Sequence, residues 1–146
     1  MTGDAQPPRP PAAGTEVIRV RIERDSDVIT ARQQGREMAL AAGLSGSDLT
    51  VVATAISEVA RNIIAYADHG EIELALAEQG VRRGISVTAR DQGPGIANIE
   101  QAMQDGFSTG KSLGLGLPGA KRLMDEFEIS SEVGQGVTIV MRKWRR

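Results

Sequence analysis

The chain has 146 residues, 40% of them hydrophobic and 25% charged, with a formal net charge of −2. That is the size and composition of one globular domain with its own core, and there is no broad basic field to neutralise nucleic-acid phosphates. Cysteine is absent, which excludes disulfides, thiolate metal sites and thiol catalysis, and aromatics are only 3%, so the core must be aliphatic.

Residues 1–14 carry four prolines and almost nothing apolar, and read as a disordered tail ahead of a domain over 15–146. The opening MTGDAQPPRPPAAG has no apolar h-region, and no apolar run approaches the ~18 residues of a bilayer span. Neither a membrane partner nor export is expected, and the cytoplasm is the default location. TEVIRVRI alternates, with Val17, Arg19 and Arg21 on one face and Ile18, Val20 and Ile22 on the other, as a half-buried strand does. Asp25 or Ser26 can cap a helix to about Ala42, ended by Gly43. Ser47 or Asp48 can cap a second, to about Ala67, whose Val52, Ile56, Val59 and Ile63 recur at helical spacing. Asp68, His69 and Gly70 break it.

EIELALAE and GISVTARD read as two strands joined by a turn at Gln79 to Arg83. The glycine-rich DQGPGI follows, then a short helix near Asn98 to Gln104. A second glycine-rich stretch, GFSTGKSLGLGLPG, leads into a helix, AKRLMDEF. EISSEV, a turn at GQG and VTIVMRKW form a closing hairpin. The basic ending, Arg142, Lys143, Arg145 and Arg146, reads as a solvated chain end. Grouped helices and short strand connections predict an α/β two-layer sandwich, a largely antiparallel sheet with helices on one face.

Three segments carry candidate chemistry. Glu58 and Asn62 lie four apart on the second helix, so they share a face. Asn62 falls roughly 80° from the centre of the apolar stripe and Glu58 slightly further, at the margin where a polar group lines a cleft floor. Arg61 points away from the core. Alone, a carboxylate and an amide at this spacing commonly just decorate a surface. Asp91 ends an apolar strand and precedes Gly93 and Gly95, which let the backbone approach a flat ligand or take positive φ. An acidic group there can accept from an exocyclic amine, although D-x-G is also a plain turn. Glycines 110, 114, 116 and 119 cluster before a helix, where free N–H groups and the helix dipole favour phosphate. A merely flexible loop is the alternative. GKS at 110–112 is not a P-loop, because the first glycine of that motif would fall on Asp105.

Together these segments resemble the GHKL ATPases of the Bergerat fold, shared by gyrase, Hsp90, histidine kinases and anti-sigma-factor kinases. ATAISEVARNIIAYA is similar to the N box, DQGPGI to the G1 box and STGKSLGLGLPGAKRL to the G2 box, in order and over about residues 15–144. Within the superfamily, GLGLPGAKRLMDEFEISSEVGQGVTIVMRKW most resembles the RsbT group of serine/threonine kinases. The resemblance implies ATP and Mg²⁺, with Asn62 as the metal contact and Glu58 as general base. It implies Asp91 as the adenine-reading carboxylate and Gly93 and Gly95 as shapers of the nucleotide pocket. Gly114, Leu115 and Gly116 lie near the phosphates, Lys111 is a candidate for the γ-phosphate, and Thr138 resembles the hydroxyl that supports adenine. A short lid spans about Asp105 to Leu113. The implied partners are STAS-domain proteins and a PP2C-type phosphatase.

Two other readings share the fold: a sigma-factor-binding anti-sigma kinase and a nucleotide-gated binding module without transfer activity. A histidine-kinase catalytic module fits poorly, since the single histidine, His69, falls in a turn.

Overall fold

The computed structural model describes residues 16–94, 103 and 116–146. The tail at 1–14, the expected helix near Asn98 (Met103 aside), the lid, Gly95, Lys111, Gly114 and Leu115 lie outside the described residues. Five strands form one sheet: β1 (Val17–Ile22), β2 (Gly70–Gln79), β3 (Arg82–Asp91), β4 (Glu126–Glu132) and β5 (Gly136–Trp144). The order is β1-β2-β3-β5-β4, and every pairing is antiparallel. Helices α1 (Asp25–Ala41), α2 (Ser47–Ala67) and α3 (Gly116–Leu123) complete the α/β sandwich.

Alternation along the strands builds the core. Val20, Ile22, Ile72, Leu74, Ile85, Val87, Ala89, Ile139 and Met141 meet Val52, Ile56, Val59 and Ile63 of α2 in one aliphatic cluster. By length and composition alone α2 passes for a bilayer span, contrary to the expectation that no segment would, but more than half of it is buried in this core. On the opposite face charges line up across strands: Arg19 with Glu73 at 3.0 Å, and Arg90 with Glu73 at 3.2 Å.

The first two helices start at or within a residue of their expected positions. Asp25 opens α1, and Asp27 Oδ2 accepts from the N–H groups of Glu23 at 2.8 Å and Arg24 at 3.0 Å. Ser47 is the first residue of α2 rather than its cap, which is Gly46 with φ +60°. The helix ends in a γ-turn at Asp68 (φ +68°, ψ −45°), where His69 N–H donates to Ala67 O at 2.7 Å.

Gly35 of α1 sets how closely the helices pack. A Cβ there would lie 2.1 Å from Cδ1 of Ile56, a fully buried side chain. Gly35→Ala gains about 1 kcal/mol of helix propensity but incurs roughly 1–3 kcal/mol of overpacking, so it should lower stability slightly. Ile56→Val deletes the clashing Cδ1. In the double variant the two losses should sum to less than the separate values by roughly 0.5 kcal/mol or more, measured by urea unfolding. Strict additivity would mean that the helices do not meet through these two positions.

Two expectations fail at the C-terminal end. The predicted helix AKRLMDEF starts earlier, at Gly116, and stops at Leu123; Glu126 and Phe127 belong to β4 instead. Asp125 N–H donates to Arg142 O at 2.9 Å, so sheet pairing takes over where the helix would have continued. The basic ending is solvated only in part: Arg145 and Arg146 are exposed, but Arg142 and Lys143 are not. Lys143 is buried, and its Nζ donates to Leu123 O at 3.0 Å, a cation on the last carbonyls of α3. Arg142 meets Glu126 at 3.0 Å, and Trp144 Nε1 donates to Glu126 Oε2 at 2.8 Å.

Asp125 ties this corner together, accepting from Trp144 N–H and from Arg146, each at 2.8 Å, with Lys143 at 3.5 Å. Burial pushes its pKa up, but the Trp144 N–H and the Lys143 and Arg146 charges outweigh it and hold the carboxyl below its ordinary 3.8. A lowered folded pKa means stabilisation that is complete above the ordinary value and lost as pH falls through the lowered one. Asp125→Asn should therefore be less stable than the parent at pH 7, and the gap should close below about pH 4. Unfolding midpoints measured across that range test this; a gap that stays constant would put the contribution elsewhere.

Candidate functional site

Two groups of candidate residues lie along α2: Glu58 meets the start of α3, and the loop after Asp91 rests on the end of α2 through Gly93. Glu58 is only 4% exposed, far more buried than a position at the stripe margin suggests. The reason is α3, which packs across α2 and covers it. Glu58 Oε1 accepts the Gly116 N–H at 2.9 Å, and Oε2 meets Arg61 Nη1 at 3.2 Å. Gly116 is the first residue of α3, so the carboxylate sits at the helix's positive end. Gly116 has φ +70°, a conformation that favours glycine. Pro118 falls in the first turn, where its missing N–H leaves no intrahelical bond unmade. Asn62, one turn beyond Glu58, is half-buried.

Asp91 is buried at the end of β3, on the helix-covered face. Its cross-strand neighbour there is Gly70, whose missing Cβ would lie 3.0 Å from Ile63 of α2 and 3.1 Å from the Asp91 Cβ. Asp91 Oδ1 accepts from Gly93 N–H at 3.0 Å and from Val137 N–H at 3.3 Å, an Asx turn that also pins β5. Both bonds fall on Oδ1. Gly93 is needed for a reason the sequence did not show: a Cβ would lie 2.6 Å from the Cβ of Ala67, so the loop rests on the end of α2. Gly134 N–H donates to Pro94 O at 2.7 Å, which brings the β4–β5 turn to the same place.

Thr138 does not share the face of the sheet that carries the Asp91 side chain. It pairs with Arg90, so its side chain lies on the opposite face of the sheet. It helps to line an open groove of about 610 Å³ with Arg19, Arg21, Arg90 and Gln135, which Asp91 also borders. The β5 residue on Asp91's side is Val137. Arg61, which helical geometry directs away from the core, reaches Glu58 through its i,i+3 spacing.

The donors suit a magnesium–nucleotide complex. Among the described residues no three acidic or histidine side chains form a metal cluster. Asn62 nevertheless offers a hard oxygen, and Mg²⁺ commonly takes one or two protein oxygens and fills its shell with phosphate and water.

Among the described residues, a five-stranded antiparallel sheet packs against three helices, with Glu58 and Asn62 on α2 and an Asx turn after β3. The chain belongs to the histidine kinase-like ATPase domain family, which matches residues 22–143, and it uses ATP. It is 47% identical over 127 residues to the serine/threonine-protein kinase RsbT of Bacillus subtilis, a match covering 87% of this chain and 96% of that one. It is a protein serine/threonine kinase. It is also 34% identical over 105 residues to the anti-sigma F factor of a Geobacillus species, covering 66% of this chain and 70% of the relative. Among solved structures, one containing the RsbU and RsbW domains of a Mycobacterium tuberculosis protein overlays with a TM-score of 0.59 at 24% identity. That overlay covers 90% of this chain and 33% of the other, and it shows the shared fold.

Proposed function

We propose that this kinase uses Mg-ATP to phosphorylate a serine or threonine of a STAS-domain protein in a partner switch, and that it also engages a PP2C-type phosphatase. The observation that carries the reading is the buried Glu58 carboxylate, fixed at the first amide of α3 with Asn62 one turn away. The likeness to RsbT over nearly the whole of both chains supports it. Such a switch acts in the cytoplasm, where ATP is available.

When bound, ATP supplies the γ-phosphoryl group and Mg²⁺ offsets the charge that develops on it. Asn62 would hold the metal. The second oxygen of Asp91 would accept the adenine amine, with Oδ1 already committed to the turn. The Gly116 N–H and its neighbours at the start of α3 would face phosphate oxygens. Glu58 would accept the proton of the attacking hydroxyl as its oxygen bonds to phosphorus and ADP departs. Gly95, Lys111, Gly114 and Leu115 are assigned by resemblance to the nucleotide's pocket and phosphates. Thr138 could act on adenine only through the backbone, since its side chain faces the other way.

The likeness to anti-sigma F factors favours a second reading, in which the same ATP site serves a sigma-factor-binding surface. Incubation of the chain with labelled ATP and a STAS-domain protein tests the first, with label expected on a serine or threonine of that protein. Absence of transfer with retained ATP binding would make the chain a nucleotide-gated binding module. Capture of a sigma factor would favour the second reading.

A further inference from the structure

We infer that Arg61 is a positioning residue for Glu58, holding the carboxylate against the N-terminus of α3 and keeping it aligned for proton abstraction. The inference rests on Glu58 being the general base. Three observations carry it. Glu58 is buried at 4% exposure, so its orientation is set by its contacts rather than by water. Those contacts are divided, with Oε1 on the Gly116 N–H at 2.9 Å and Oε2 on Arg61 Nη1 at 3.2 Å. The two donors differ in kind. One is a backbone amide at the head of a glycine-rich helix start, the group that a phosphate oxygen would seek. The other is a guanidinium that no nucleotide needs to displace.

The Glu58 carboxylate therefore occupies a phosphate-seeking amide in the nucleotide-free chain. A phosphate oxygen that takes the Gly116 N–H removes one of the two bonds that fix Glu58. Arg61 is the bond that persists, and it comes from the same helix, one turn along, so movement of α3 does not disturb it. Its side chain is 43% exposed, which leaves it free to follow the carboxylate. A base displaced from its line of attack loses rate steeply. Arg61 thereby converts a carboxylate anchored at two points into one that stays oriented from a single point once nucleotide is bound.

The test uses the full chain with Arg61→Met and Arg61→Lys. Arg61→Met should lower kcat for transfer to a STAS-domain protein by on the order of 10- to 100-fold with KM for ATP nearly unchanged, and Arg61→Lys should restore most of it. A readout independent of activity is hydrogen exchange at the Gly116 amide without nucleotide. Exchange should quicken in Arg61→Met, because the acceptor is no longer steadied, and return toward the parental rate in Arg61→Lys. Parental kcat and parental Gly116 exchange in Arg61→Met would overturn the inference. Equal losses in the Met and Lys variants would also overturn it, since a merely structural role gives no rescue. Failure of the underlying reading looks different: Glu58→Gln would then transfer at the parental rate. A slow Glu58→Gln beside a parental Arg61→Met leaves the base in place and removes Arg61.

Discussion

Glu58→Gln should bind Mg-ATP with nearly parental affinity yet transfer phosphate roughly 10²–10⁴-fold more slowly. Glutamine keeps the length and shape of the side chain, and its carbonyl can still accept the Gly116 N–H that Glu58 Oε1 accepts at 2.9 Å. The start of α3 should therefore stay in place. Asn62, the proposed metal contact, is untouched. What disappears is the basic oxygen, which at each tenfold in rate corresponds to about 1.4 kcal/mol of barrier. Arg61 loses its partner, but at 43% exposure water can satisfy it, so the fold should not suffer greatly. Single-turnover transfer with labelled ATP, alongside calorimetric titration, separates the two effects. Transfer at the parental rate would take the base role away from Glu58.

The second large effect concerns the choice of base. Asp91→Asn should weaken ATP binding by about 1.5–3 kcal/mol, the value of a hydrogen bond to a charged group, which is on the order of 10- to 150-fold in affinity. Asparagine can keep its oxygen toward Gly93 and Val137, preserving the turn, and then turns an NH₂ toward the nucleotide. Two donors face each other when the ligand is adenine. Guanine carries a carbonyl at that position, so the variant should discriminate less against GTP than the parent does. Calorimetry with both nucleotides on both proteins is the check. If the parent takes ATP and GTP equally well, Asp91 does not read the amine.

Much of the fold was legible because single elements declared themselves. Val52, Ile56, Val59 and Ile63 marked the buried stripe of α2, and alternation marked β1, β2 and β3. The boundary of α3 was not legible. AKRLMDEF has helical composition, but Asp125, Glu126 and Phe127 are claimed by β5 through pairings that no local pattern shows. The same holds for Lys143 and Arg146, whose partners Leu123 and Asp125 lie well back along the chain. At the site, the helical spacing of Glu58 and Asn62 was readable, whereas the burial of Glu58 depends on a third element crossing α2. Thr138 shows the sharpest limit. A strand changes face at every residue, so a motif placed one position along β5 points through the sheet to the other side, and only the pairing with Arg90 reveals it.

The strand order has a kinetic consequence. β3 lies in the middle of the sheet, yet one of its two neighbours, β5, follows only after everything from Gln92 to Gln135. While the chain is being synthesised, β1, β2 and β3 can assemble with α1 and α2 and leave Ile85, Val87 and Ala89 on a strand with a bare edge. Closing so long a loop is slow relative to forming a hairpin, and a bare apolar edge invites pairing with another chain. The β4–β5 hairpin can form by itself, but it must then dock as a unit, and its arrival delivers the Val137 N–H to Asp91. The Val137 N–H bond to Asp91 therefore cannot form until β5 is in the sheet, and conditions that delay the hairpin's docking should expose the nascent chain to aggregation.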